Sequence, residues 1–267
     1  MDAVPDDTGR FVLALPYFDD DVYLLDTVDG TSRTVRVLAR GPEPAVVAAA
    51  AYFDGWYAVL VERYHDGTRQ KKFPYINPDQ MPFRYRIVRF DRFTKHRALI
   101  ERVWFEGTAE WHEESFHPWD AAFDARGRTL AVLNTMSEEL SAYDRATGER
   151  LYVRPVGPRP VALLVWRDRA LVACPEQNRI DIFDLRTGVA RTPIHGAPGV
   201  DGLAGAEYGV FAASKYRRSV LRAIPSNRGW YVTEVESPEV PGGVAALGGV
   251  PYLGDAVYGR VRSVEGF

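Results

Sequence analysis

The chain has 267 residues, 46% of them apolar, with 23 glycines, 18 prolines and a formal charge of −3. That composition is globular and rich in turns, and it excludes disorder, collagen and coiled coil. No apolar run approaches the length of a membrane span, and a mixed, slightly acidic surface gives no electrostatic footprint for nucleic acid. The single cysteine, Cys174, forms no internal disulfide. The start, Met1 to Asp7, has neither a basic nor an apolar leader, so a cytoplasmic location is expected.

In chain order, a first unit opens at Asp2 and runs through Leu25-Asp26 to a polar outer strand, Thr34–Leu38. A second starts near Pro42-Glu43-Pro44 and contains Phe90-Asp91-Arg92-Phe93-Thr94. From there proline recurs at a constant interval, at Pro118, Pro158, Pro198 and Pro238. After each proline comes the same plan. A small apolar segment such as Val161–Val165 is followed by a strongly apolar one, such as Leu130–Leu133 or Leu171–Ala173. An alternating segment follows, such as Ile180-Asp181-Ile182-Phe183, and then a polar one. Turns such as Asp124–Gly127 and Arg145–Gly148 supply the reversals.

Four short strands within each such interval, repeated six times, predict an all-β, six-bladed β-propeller forming one domain over 1–267. The blades are expected near 1–41, 42–117, 118–157, 158–197, 198–237 and 238–267. Phe267 aligns with Thr147, ahead of any fourth strand, so the last blade is expected to be three-stranded.

The turn motif Tyr143-Asp144…Thr147-Gly148, repeated as Phe183-Asp184…Thr187-Gly188, resembles the YVTN-type propeller repeat, with the NHL and SMP-30-like propellers nearby. The resemblance implies architecture and leaves activity open, because such propellers host many functions. No set of Glu, Asn and Asp positions maps onto the SMP-30 metal site, so that activity is not implied.

Function is sought where the repeat breaks. The stretch from Pro42 to Pro118 is nearly twice as long as the period set by the later prolines. The excess falls at about 64–84, between the second and third strands, and at about 105–117, before the next blade. Loops of these two classes leave a propeller on one face, so both insertions are expected to cap one mouth of the central channel. They carry Tyr64, His65, Phe73, Tyr75 and Phe83, then Trp111, His112, Glu113, Glu114, Phe116 and His117. Aromatic side chains with a few polar groups suit a ligand lid.

The expected catalytic groups are His112 and His117, with Glu114 and Asp120 to orient and tune them. Tyr17, His65, Tyr75, Trp111, Trp119, Arg159, His195, Lys215 and Tyr216 are the expected ligand-binding residues on the same face. His112 and His117 are five apart beside a proline, unlike the zincin pair. The set His112, Glu114, His117 and His195 has metal-donor chemistry; a solvated acidic loop is expected there instead, with no metal and no cofactor. Cys174 near His195 has nucleophile chemistry, and a small buried apolar role is expected for it. There is no GxSxG, P-loop or dinucleotide fingerprint.

The resulting expectation is a small-molecule-binding propeller, a candidate lyase, cyclase, isomerase or hydrolase working by acid–base chemistry, with no nucleic-acid or membrane partner. The alternative is a protein-interaction scaffold whose rim presents Trp111, Phe116 and Tyr75.

Overall fold

Each unit of the repeat folds as an antiparallel meander, because its short β-rich runs are separated by turns too tight for any other connection. A computed structural model describes residues 2–15, 22–37, 46–63, 83–93, 97–109, 118–135, 137–237, 240–255 and 260–264. Blade 1 holds β1 (Asp2–Pro5), β2 (Phe11–Leu15), β3 (Val22–Asp26) and β4 (Thr31–Val37). Blade 2 holds β5 (Val46–Tyr52), β6 (Trp56–Arg63), β7 (Phe83–Phe93) and β8 (Arg97–Ala109). Blade 3 holds β9 (Pro118–Phe123), β10 (Thr129–Asn134), β11 (Glu139–Asp144) and β12 (Arg150–Pro155). Blade 4 holds β13 (Ala162–Trp166), β14 (Arg169–Cys174), β15 (Arg179–Asp184) and β16 (Ala190–His195). Blade 5 holds β17 (Val200–Ala206), β18 (Gly209–Ser214), β19 (Ser219–Ser226) and β20 (Gly229–Glu236). Blade 6 holds β21 (Pro241–Leu247), β22 (Val250–Asp255) and β23 (Val261–Ser263). The fold is an all-β, six-bladed β-propeller with a three-stranded last blade.

The chain divides into two compact units. One comprises 1–123 with 145–149, the other 124–144 with 150–267. In the first, Leu13, Leu24 and Val35 of blade 1 pack against Ala50, Trp56 and Phe90 of blade 2. In the second, Leu171, Ile180 and Ile194 of blade 4 pack against Val200, Val210 and Leu221 of blade 5. The core thus lies between sheets, as it must when both faces of each sheet are apolar. The second strand of a blade is the most deeply buried: every residue of β10 and β18 is buried.

The Asp-x-x-Thr-Gly turn shows how its residues serve the meander. In blade 4, Asp184 Oδ1 accepts from the Thr187 backbone N–H at 3.0 Å and from its hydroxyl at 2.8 Å. Gly188 N–H donates to Asp184 O at 2.8 Å. Gly188 sits at φ +67°, where a Cβ would also lie 2.8 Å from the Tyr152 ring, so a side chain is excluded twice.

Two features depart from the plain repeat. Blade 2 extends β7 to 11 residues and β8 to 13, so residues 83–84 and 105–109 belong to strands rather than to inserted loops. Cross-strand pairs from Phe83–Ala109 to Ile87–Phe105 give these residues partners, and the register shifts three times between there and Phe93–Ala98. In addition, β4 and β8 pair in parallel, Arg36 opposite Arg97 and Val37 opposite Ala98, which joins blades 1 and 2 into one eight-stranded sheet.

Candidate functional site

Arg63, Phe83 and Ala109 are neighbours across β6, β7 and β8. The two long connections of blade 2 therefore leave its sheet from the same end. His65 and Tyr75 on the first connection, and Trp111, His112, Glu114 and His117 on the second, lie outside the described residues, as does Tyr17 between β2 and β3. Trp119 and Asp120 follow in β9. Asp120 is half-buried, and its carboxylate accepts from the Ala121 backbone N–H at 2.8 Å.

In the second unit the predicted residues cluster at the end of blades 4 and 5 where second strands turn into third ones. A 3-10 turn, Pro175–Gln177, follows β14 and ends at Asn178 in the left-handed region. Arg159 is exposed, with its guanidinium on Glu176 at 2.9 Å and its backbone N–H on Glu138 Oε1 at 3.2 Å. His195 is exposed at the end of β16, opposite Arg179, which is itself opposite Cys174.

Two strand spacings, about 10 Å, thus separate the backbones of Cys174 and His195. The thiol is engaged by Asp181 rather than by the imidazole. It is 0% exposed and donates to Asp181 Oδ2 at 3.5 Å. Gly157 packs so closely over it that a Cβ there would lie 2.9 Å from the sulfur. Burial, then the Asp181 charge, pushes the thiol pKa up to about 12. Cys174 thus takes the buried role expected for it, and a thiol held protonated is a poor nucleophile, because the thiolate is the reactive form. Asp181, 7% exposed, also accepts from Gly157 N–H at 2.8 Å and pairs with Arg179 at 2.6 Å. The cluster ties the link between blades 3 and 4 to blade 4.

Lys215 and Tyr216 lie on the turn after β18, both exposed, Tyr216 at 92%. This turn is anchored at each end. Ser214 Oγ donates to Pro198 O at 2.6 Å and accepts from Arg217 N–H at 3.2 Å. Arg217 pairs with Glu234 at 3.2 Å, and Ser219 Oγ donates to the same carboxylate at 2.6 Å. Gly199, at φ +61°, lies directly against Tyr216, with no room for a Cβ between them.

Beside that turn is a residue that the sequence reading passed over. Asp201 is the extra residue of a β-bulge near the start of β17, where pairing steps from Val200–Ser214 to Gly202–Ala213. Its Oδ1 is buried and has no hydrogen-bond partner among the described residues. Burial pushes its carboxyl pKa up to about 6, against the opposing Lys215 charge and backbone N–H groups of Asp201 and Lys215. The only sequence signal was a lone acid in a small apolar inner-strand segment, Val200–Ala206.

At the opposite end of blade 2, Asp54 in the turn between β5 and β6 collects Tyr57 OH at 2.8 Å and the guanidinium of Arg145. Arg89 donates to its backbone carbonyl at 2.8 Å. Burial raises the Asp54 pKa, but these hydrogen bonds and cations outweigh it and hold the carboxyl below its ordinary value. Tyr57 and Phe123 stack edge-on, with ring centroids 4.7 Å apart. The group reads as a staple within the first unit. Among the described residues, no three His, Cys, Asp or Glu side chains converge in a metal-binding group.

No protein-family model matches the chain, and a comparison with curated proteins returns no match. Solved structures match its fold. The Cps50 (Swd1) β-propeller domain of Myceliophteria thermophila is 16% identical with a TM-score of 0.62, over 98% of this chain and 81% of that one. U3-55K is 11% identical with a TM-score of 0.66, over 95% of this chain and 73% of that one. The dihydro-heme d1 dehydrogenase NirN, solved in complex with DHE, is 13% identical with a TM-score of 0.59, over 99% of this chain and 56% of that one. At these identities the likeness is one of fold alone.

Proposed function

We propose that this chain is a small-molecule-binding propeller that carries out acid–base chemistry without a cofactor, at the end of blade 2 from which its two long connections leave. One observation carries the reading: Arg63, Phe83 and Ala109 stand side by side, so His65, His112, Glu114 and His117 all belong to connections rooted at one sheet end. In this reading His112 and His117 exchange protons with the ligand, while Glu114 and Asp120 orient them. Tyr75, Trp111 and Trp119 supply aromatic contact. The YVTN-type relationship remains part of the proposal, supported by the Asp184–Thr187–Gly188 turn geometry. A cytoplasmic location also remains part of the proposal. Among the described residues, no helix is long and apolar enough to cross a membrane.

Native mass spectrometry of the full chain mixed with a metabolite extract tests the reading. A ligand retained by the parent and lost from His112→Ala and His117→Ala is expected. Retention of every ligand by both variants would overturn the assignment.

The scaffold reading rests on a different observation. Tyr216, Tyr208 and Tyr231 are 92%, 66% and 63% exposed on blade 5, and Swd1 and U3-55K share the fold. Partner capture that is abolished by Tyr216→Ser, with no small ligand found, favours it.

A further inference from the structure

Asp201 is not required by the backbone that holds it. The same bulge occurs at the matching place in blade 6, where pairing steps from Pro241–Asp255 to Gly243–Gly254 around Gly242. The inner strand of blade 2 carries another, around Ala48. Glycine and alanine therefore serve the geometry, and a carboxylate there has to be explained by something else. Bulges re-aim side chains and recur beside functional sites. Of the buried side-chain atoms left without a hydrogen-bond partner among the described residues, Asp201 Oδ1 is the one carboxylate oxygen. Burying an acceptor with no partner is unfavourable, so the bare Oδ1 makes this carboxylate costly to keep, and its presence asks for a use.

The surroundings narrow what that donor is. Three of the segments packed around β17 carry no charge of their own: β13 reads Ala-Leu-Leu-Val-Trp, β21 reads Pro-Gly-Gly-Val-Ala-Ala-Leu, and β18 reads Gly-Val-Phe-Ala-Ala-Ser. The fourth, β14, carries Arg169 at its opposite end, over the Trp230 ring. On the turn, Arg217 is committed to Glu234 and Arg218 sits at the far end in the left-handed region. Lys215 is the cation that acts on Asp201. It is exposed and makes no ion pair among the described residues. A bare metal ion is a poor occupant, since no second and third acidic or imidazole donor converges here. A donor that brings its own protons and lies beside a free lysine is an ammonium group attached to an anion.

We propose that Asp201 and Lys215 form a binding site for a small zwitterion, with Asp201 accepting hydrogen bonds from the ligand's ammonium group and Lys215 meeting its carboxylate. Asp201 is only half-buried, and the desolvated Oδ1 makes the carboxylate a stronger acceptor. The anchoring of the turn by Ser214, Glu234 and Gly199 holds Lys215 in place, so little order has to be acquired on binding. This site uses no side chain from the connections of the second blade, and it stands apart from the site proposed there.

The test uses the full chain labelled with 13C at aspartate Cγ, with the Asp201 signal assigned by its loss in Asp201→Asn. Alanine, β-alanine and γ-aminobutyrate, which step the charge separation by one methylene, are titrated in turn, with ethylamine and propionate as half-ligands. At least one zwitterion is expected to shift the Asp201 signal and move its titration midpoint down. Its affinity is expected to fall about tenfold or more in Asp201→Asn and in Lys215→Ala, the size of a charge-assisted hydrogen bond. Lys215 is exposed, so the second variant keeps the fold intact. The proposal is overturned if no zwitterion moves the signal, or if ethylamine matches the best of them. His112→Ala and His117→Ala leave this binding unchanged, so failure here is distinguishable from failure of the blade 2 site.

Discussion

Replacing Asp201 by asparagine is expected to stabilise the protein, and only above mildly acidic pH. In the folded chain the carboxyl titrates at about 6, raised by burial from its ordinary 3.8. The native state therefore holds this proton more tightly than the unfolded state does. Below the unfolded value both states are protonated, and neutral aspartic acid and asparagine are near-equivalents. As pH rises through the window from about 4 to about 6, the unfolded chain releases the proton first, and native stability declines. Each tenfold difference in proton affinity is about 1.4 kcal/mol, which sets a ceiling of about 3 kcal/mol for this group above pH 6. Partial solvent contact of the side chain reduces that to about 2 kcal/mol. Urea unfolding of parent and Asp201→Asn at pH 4 and pH 8 reads it directly. Near-identical midpoints at pH 4 and a higher midpoint for the variant at pH 8 are expected. A variant less stable than the parent at pH 8 would refute the reasoning, because it would mean that the charge is already compensated within the fold.

Cys174 should resist alkylation in the native state at pH 8 and react fully in urea, as followed by mass spectrometry, because its thiol is buried with a pKa of about 12. Gly188→Ala should lower stability by about 1–3 kcal/mol in a denaturant titration, from a positive φ and a collision with Tyr152. Asp54→Ala should cost about 1–2 kcal/mol by removing the acceptor of Tyr57 and Arg145. The parent's advantage over that variant should shrink on acidification, since the native carboxyl titrates below its ordinary value and its contribution is lost as pH falls through that point.

The architecture was legible because it rests on repetition. The evenly spaced prolines and the Asp-x-x-Thr-Gly turns report backbone reversals that happen wherever those residues occur, independent of distant contacts. The three-stranded sheet of blade 6 could be read the same way. The lengthening of β7 and β8 was harder to see, because Phe105–Ala109 looks like surplus loop when only spacing is counted. Its strand character comes from pairing with Phe83–Ile87, at a distance the local pattern does not encode. Candidate chemistry was least legible. Histidines stand out in a sequence by type, so His112 and His117 drew the prediction. Asp201 is chemically distinctive only through a bulge and a desolvated oxygen, and both are products of its neighbours. Cys174 shows the converse: a residue type that invites a reactive reading is silenced by Asp181 and Gly157, two positions the sequence does not mark.

The parallel seam between β4 and β8 bears on how the first unit comes apart. Sheets that merely stack can peel away one at a time, but here a continuous backbone network runs from β1 across to β5. Blades 1 and 2 are thus expected to open as a single foldon, with amide protons near Val37 and Ala98 exchanging at the rate of the whole rather than of an edge. The same seam covers the end of β4 and the start of β8, Arg36–Val37 against Arg97–Ala98, and so shortens two outer edges that are templates for intermolecular strand addition.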